Sequence, residues 1–125
     1  MADGPFAIFI RHADEFETYA PGAVVFSEGE TGDCLYVVRS GSVELRSGGV
    51  VLNVAEAEDV FGEMVLTGRP TRSATAIARE ETTLVPVDQV RFDRVVQLNP
   101  FLAREFMRLI ADRLSAMNER LKALS

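Results

Sequence analysis

The chain has 125 residues, 47% of them apolar and 26% charged, which is one domain's length and enough to bury a core without disulfides or metals as staples. A single cysteine, Cys34, and a single histidine, His12, exclude an intrachain disulfide, a CxxC redox pair, cysteine-ligated zinc or iron–sulfur clusters and multi-histidine metal sites. The net charge of −6 argues against sequence-independent nucleic-acid binding, which needs a basic patch to neutralise many phosphates. It leaves room for one local anion site, because screening confines the global field to roughly 8–10 Å.

Asp3 follows Met-Ala directly, and the apolar run at 6–10 is five residues long. Neither a signal peptide nor a membrane span fits that, so the chain reads as cytosolic. The sequence then divides near Asp88. Before it, short β-rich runs at 15–19, 24–27, 34–40, 42–47, 50–54, 73–78 and 82–87 alternate with turn residues, and all nine glycines lie at or before Gly68. Short strands at intervals of about 8–12 residues predict a sandwich, jelly roll or barrel. One interruption, Phe61-Gly62-Glu63-Met64-Val65-Leu66, reads as a single helical turn stopped by Gly68 and Pro70.

Beyond Asp88 the pattern is helical. Asp88 caps a helix running to about Leu98, Asn99-Pro100 breaks it, and Pro100 takes the favoured first position of the next. The final segment, 101–124, has neither glycine nor proline. It carries a stripe at a period of 3.5 residues: Ala103, Met107, Ile110, Leu114, Met117, Leu121 and Leu124. A shorter stripe, Leu102, Phe106 and Leu109, ends where Arg113 takes the next place. Periodicity leaves two readings open. Either the early turns pack on the β domain while the long stripe meets a partner, or one broad stripe faces the core.

The chemistry concentrates in 61–78, FGEMVLTGRPTRSATAIA. The free N–H groups of the short helix at Gly62 make an anion site, and glycine admits close approach of a ligand. Arg72 follows Glu63 by nine residues and enters a strand with Ser73 and Ala74. A guanidinium fork there grips a phosphate through two hydrogen bonds. Glu63 is an acceptor when ionised, suited to a hydroxyl donor such as a ribose OH. An anion clamp plus a hydroxyl acceptor points to a sugar phosphate. Arg69 reads as a solvated loop residue. Cys34 reads as a buried structural thiol, and His12 has no nucleophile or carboxylate arrangement around it.

These residues resemble the phosphate-binding cassette of cyclic nucleotide-binding domains, F-G-E-x-[AGS]-[LM] followed by R-[STA]-A. A second stretch agrees in order: Pro21-Gly22, then Phe26, Gly29-Glu30, Gly32-Asp33, Leu35-Tyr36-Val37-Val38 and Gly41-Ser42-Val43, which is similar to the family's hairpin signature. Asn99-Pro100 with Ala111-Asp112-Arg113-Leu114 resembles the start of the long helix of bacterial catabolite-activator-like regulators. Two departures are visible: Val65 stands where the family carries Ala, Gly or Ser, and Glu58 replaces a glycine before the cassette.

The resemblance implies an α+β, mainly β fold, a jelly-roll-like β-roll over about 15–88 with C-terminal helices at 89–98 and 101–124, all in one domain, 1–125. It implies a non-enzymatic receptor for cAMP, or alternatively cGMP, with no other cofactor, no metal and no catalytic residue. Glu63 would accept from the ribose 2′-OH. Arg72 would pair the cyclic phosphate, with Ser73, Ala74 and the backbone of Gly62, Met64 and Val65 completing the cradle. Leu45 and Leu52 would line the purine and sugar wall, and Arg113, Met117 and Asn118 would approach the base. Ligand binding would move the C-terminal helix, and a homodimer would form through Met107, Ile110, Leu114, Met117 and Leu121. In the regulators a DNA-reading helix-turn-helix follows the long helix, and these 125 residues leave no room for one. The competing reading is a degenerate member that dimerises without nucleotide.

Overall fold

A computed structural model describes residues 4–124. The β-rich part opens with helix α1 (Ala7–Arg11) and continues through β1 (Glu17–Tyr19), β2 (Val24–Phe26), β3 (Cys34–Ser40), β4 (Val43–Ser47), β5 (Val50–Ala55) and β6 (Val60–Phe61). A 3₁₀ helix, Glu63–Thr67, precedes β7 (Thr75–Ala78) and β8 (Thr82–Asp88), and then α2 (Gln89–Leu98) and α3 (Pro100–Leu124) follow. The strands form two four-stranded antiparallel sheets ordered β1-β8-β3-β6 and β2-β7-β4-β5. This is a mainly β jelly-roll with C-terminal helices.

Between the sheets lies a cluster of buried side chains that includes Phe26, Tyr36, Val38, Val43, Leu45, Phe61, Ala76 and Leu84. In β4 alternation places them there, with Val43 and Leu45 buried and Arg46 exposed; β8 is buried on both faces, Leu84 entering the cluster and its neighbours Val85 and Val87 pointing the other way. Phe26, Tyr36 and Phe61 form an aromatic triad with ring centroids 5.3–6.1 Å apart, a separation at which rings attract beyond their buried area.

Two elements were not foreseen. Helix α1 buries Ala7 and Phe9, and Phe9 stacks on Phe92 at 6.0 Å between centroids. Strand β6 is two residues long, too short to carry an alternating pattern. Glu58, just before it, holds the left-handed conformation (φ 73°) that glycine would adopt freely. Its carboxylate accepts the backbone N–H of Gly4 at 2.6 Å, which ties the start of the chain to the roll. The expected strand at 73–78 starts instead at Thr75, with Ser73 and Ala74 forming a bend between it and the residues that pair with the loop at 29–32.

The helical breaks fall where the sequence puts them. The Asp88 carboxylate accepts the N–H of Arg91 at 2.7 Å, and the N–H of Leu102 donates to Asn99 at 2.9 Å as α3 begins. The chain divides into two compact units, one ending at Phe92 and the other beginning at Asp93. In the second, Leu102 is buried, whereas Met107, Leu114, Met117, Leu121 and Leu124 are 44–84% exposed. The stripe at a period of 3.5 residues is therefore open at these five positions, while Ala103 and Ile110 within it are half-buried. No helix among the described residues is long and apolar enough to cross a membrane.

Candidate functional site

The site is built where two motifs distant in sequence are zipped together by backbone. Arg72 donates its N–H to Glu30 at 2.7 Å and accepts from Gly29 at 2.9 Å, and Gly32 donates to Pro70 at 2.7 Å. Thr31 bridges Thr71. The loop between β2 and β3 is thus a backbone clamp that fixes the position from which the Arg72 side chain starts. Pairing of this kind satisfies main-chain groups on both segments, so neither can move alone without cost.

From that clamp Arg72 turns inward and is 7% exposed. Its guanidinium carbon lies 4.1 Å from the centroid of Phe26 and 5.8 Å from that of Tyr36, within cation–π range. Nη1 donates to the Gly62 carbonyl at a long 3.4 Å. Nε is buried and has no hydrogen-bond partner. A side chain on Gly32 would overlap Nε, Cζ and Nη2, and one on Gly62 would come within 3.0 Å of Nη1. Both positions must be bare for the arginine to lie here. Gly62 also has φ 77°, a conformation that disfavours any side chain.

The cassette turn is a five-residue 3₁₀ helix rather than an α-helical turn, so its contribution to an anion site comes from individual N–H groups more than from a dipole. Val65 donates its N–H to Gly62 at 3.4 Å, so that carbonyl accepts from both Val65 and Arg72. Glu63 is half-buried, Val65 likewise, and Met64 and Ser73 are exposed. Ala74 and Leu45 are buried in the same cluster as the aromatic triad, and Leu52 packs against it. The structure thereby gathers Gly62, Glu63, Met64, Val65, Arg72, Ser73, Ala74, Leu45 and Leu52 on one unit. Arg113 and Asn118 lie on α3, in the other unit.

Sequence names Phe26, Gly32 and Tyr36 as parts of a hairpin signature and Cys34 as a buried thiol, but not as neighbours of Arg72, and Cys34 is half-buried rather than buried. Phe26, Tyr36 and Gly32 surround the guanidinium, and Cys34 lies beside it. Burial pushes the Cys34 thiol above its ordinary range, while hydrogen bonding with Tyr36 and the charge of Arg72 pull it back. Burial also raises the Tyr36 phenol strongly, reinforced by its hydrogen bond with Cys34. Tyr19 donates to Glu17 at 2.6 Å and is pushed up to about 12, mainly by burial and next by that hydrogen bond. The signal for the cage was present as an aromatic residue at the end of β2 and another two residues into β3, flanking the glycine loop. No group of three or more metal-ligating side chains gathers among the described residues.

The family model of the cyclic nucleotide-binding domain matches residues 16–99. A cGMP-dependent protein kinase of Toxoplasma gondii is 35% identical over 78% of this chain and 10% of its own length. The HTH-type transcriptional regulator Cmr of Mycobacterium tuberculosis is 31% identical over 88% of this chain and 47% of its own. The crystal structure of Thermus thermophilus catabolite activator protein aligns with 99% of this chain and 60% of that one, at 29% identity and a TM-score of 0.78. The chain thus spans about half or less of the length of these curated relatives. With the cassette and the clamp both in place, and a family match over most of the chain, the protein belongs to the cyclic nucleotide-binding domain family.

Proposed function

We propose that the whole chain acts as one non-enzymatic, cytosolic receptor domain that takes cAMP at the cassette and passes the signal to α3. The observation that carries this is Arg72, a buried cation with an unpaired Nε. A desolvated charge is costly unless something pairs with it. A cyclic phosphate supplies the missing negative charge and acceptors. Glu63, half-buried at the start of the 3₁₀ helix, takes the ribose 2′-OH, and Leu45 and Leu52 give the nucleotide an apolar wall. Arg113 and Asn118 on α3 are proposed for the base. cAMP is the first choice and cGMP the alternative, and Ser73 is compatible with either. Calorimetric titration of the chain with each nucleotide tests this. Saturable binding at one site per chain, tighter for cAMP, is expected; absence of binding to both overturns it.

A second reading rests on the open stripe of α3, where Met107, Leu114, Met117 and Leu121 are 44–66% exposed. Contiguous exposed apolar surface marks an interaction face. We propose that this stripe, with Ile110, pairs with the same helix of a second copy. If the chain dimerises but binds neither nucleotide, it is a degenerate member that serves as an interaction module.

A further inference from the structure

We propose that Phe26, Tyr36 and Gly32 form a berth that holds the Arg72 guanidinium away from an incoming anion, so that positions 26 and 32 set how much cyclic nucleotide affinity is realised. The inference rests on the reading of the cassette as a cyclic nucleotide site. A guanidinium that grips a phosphate side-on offers Nε–H and one Nη–H as a parallel pair. Here Nε is buried and unpartnered. The Phe26 ring covers one face at 4.1 Å, and the bare Cα of Gly32 crowds the guanidinium closely enough that a Cβ would overlap it. A phosphate oxygen has no route to Nε in this arrangement, so the side chain must turn out before it can clamp.

What holds the berth is therefore identifiable. The Nη1 bond to Gly62 is long at 3.4 Å, and a buried unpaired donor opposes the arrangement. On the other side of the balance stand the aromatic faces of Phe26 and Tyr36 and the contact with the Cys34 sulfur. Binding is a competition between those faces and the phosphate, and the fraction of molecules with Arg72 turned out scales the apparent affinity. Phe26 is thus a positioning residue that acts through Arg72.

The test compares cAMP titrations of the parent, Phe26→Leu, and both in an Arg72→Lys background. Removing the ring while keeping an apolar side chain is expected to tighten cAMP binding about 2- to 30-fold, the range of a cation–π contact. In the Arg72→Lys background the same change is expected to tighten binding less than 2-fold, roughly the limit of resolution for such a comparison. Gly32→Ala fills the berth from the other face, in a backbone conformation open to alanine, and should act in the same direction. If Phe26→Leu fails to fold, Gly32→Ala decides alone. Unchanged or weaker binding in a folded variant, or an equal gain without Arg72, overturns the proposal. The Arg72 Nε–H resonance, assigned by its loss in Arg72→Lys, supplies a readout independent of nucleotide. Slow exchange with water in the parent and fast exchange in Phe26→Leu is expected, and fast exchange in both removes the berth. A parent that binds neither nucleotide overturns the functional reading and the affinity claim together, while the resonance still reports on the berth.

Discussion

Arg72 and Leu121 break the same rule in opposite directions. The arginine is 7% exposed and the leucine 60%, whereas charged side chains ordinarily face water and large apolar ones are ordinarily covered. The β-roll anchors its exception through backbone: the clamp between loop 29–32 and residues 70–72 fixes the main chain from which the Arg72 side chain starts. Helix α3 has no such constraint, and its exception arises because a 25-residue helix is long enough to carry an apolar stripe past the turn at Leu102. A buried charge asks for a counter-charge, and an open stripe asks for an apolar partner. Two different ligands are proposed on these grounds, one small and anionic, the other a helix.

The largest effect is expected on α3. Burying a leucine fully contributes about 1.5–3 kcal/mol, and a dimer of the variant loses two leucines from each copy, so Leu114→Glu/Leu121→Glu should weaken a helix-paired dimer by up to roughly 6–12 kcal/mol, far more than 100-fold in dissociation constant. Light scattering of parent and variant measures it. A parent that is monomeric at roughly tens of micromolar breaks the comparison, since the stripe would then lack a partner of its own kind.

At the buried end, Arg72→Ala should weaken cAMP binding by roughly 2–4 kcal/mol, the loss of charge-assisted hydrogen bonds of about 1.5–3 kcal/mol each. Stability should change little. The variant loses a cation–π contact of about 0.5–2 kcal/mol but also sheds a buried unpaired donor costing about 1–3 kcal/mol. Calorimetry and thermal melting separate the two outcomes, and a variant that unfolds would show that Arg72 serves the core instead. A smaller effect is expected for 2′-deoxy-cAMP. Leaving the Glu63 carboxylate without its donor should cost about 1–3 kcal/mol of affinity, and equal affinity for the two nucleotides would take Glu63 out of the site.

Sequence made the two halves of the site legible but not their junction. Gly62, Glu63 and Arg72 announce an anion site through residue type and spacing, and the helix break at Asn99-Pro100 follows from proline geometry alone. Residues 70–72 pair with residues 29–32 through main-chain groups, and such pairing leaves no side-chain pattern to read. The inward turn of Arg72 depends on Gly32, a residue whose turn role hides a packing role. Glu58 was unreadable for a different reason. Its left-handed backbone looks like an error in a glycine's place until the carboxylate is seen to hold Gly4. On α3 the period reads directly from sequence but exposure does not follow it: Ala103 and Ile110 in the stripe are half-buried, and from Leu114 to Leu124 every residue is exposed.

The mildest test exploits an asymmetry between the two regions. The chain's two tyrosines, Tyr19 and Tyr36, both lie in the β-roll, so tyrosinate absorbance reports on that end and is silent about α3. Tyr19 is pushed up to about 12 by burial and by its hydrogen bond to Glu17, and Tyr36 is raised by burial and by Cys34. An unfolded tyrosine ionises near 10 (about 10 in model peptides). Between that value and the folded one, the folded chain keeps phenolic protons that the unfolded chain has released. By linkage, stability is then fully present below pH of about 10 and falls as pH rises toward the folded values. No effect is expected near neutrality. An alkaline titration should therefore show tyrosinate forming late and together with unfolding. Glu17→Gln removes the charge beside Tyr19 and should bring one of the two ionisations earlier. Two phenols that ionise near 10 in the folded chain would show that the aromatic end is open to water, and with it the surroundings of Arg72.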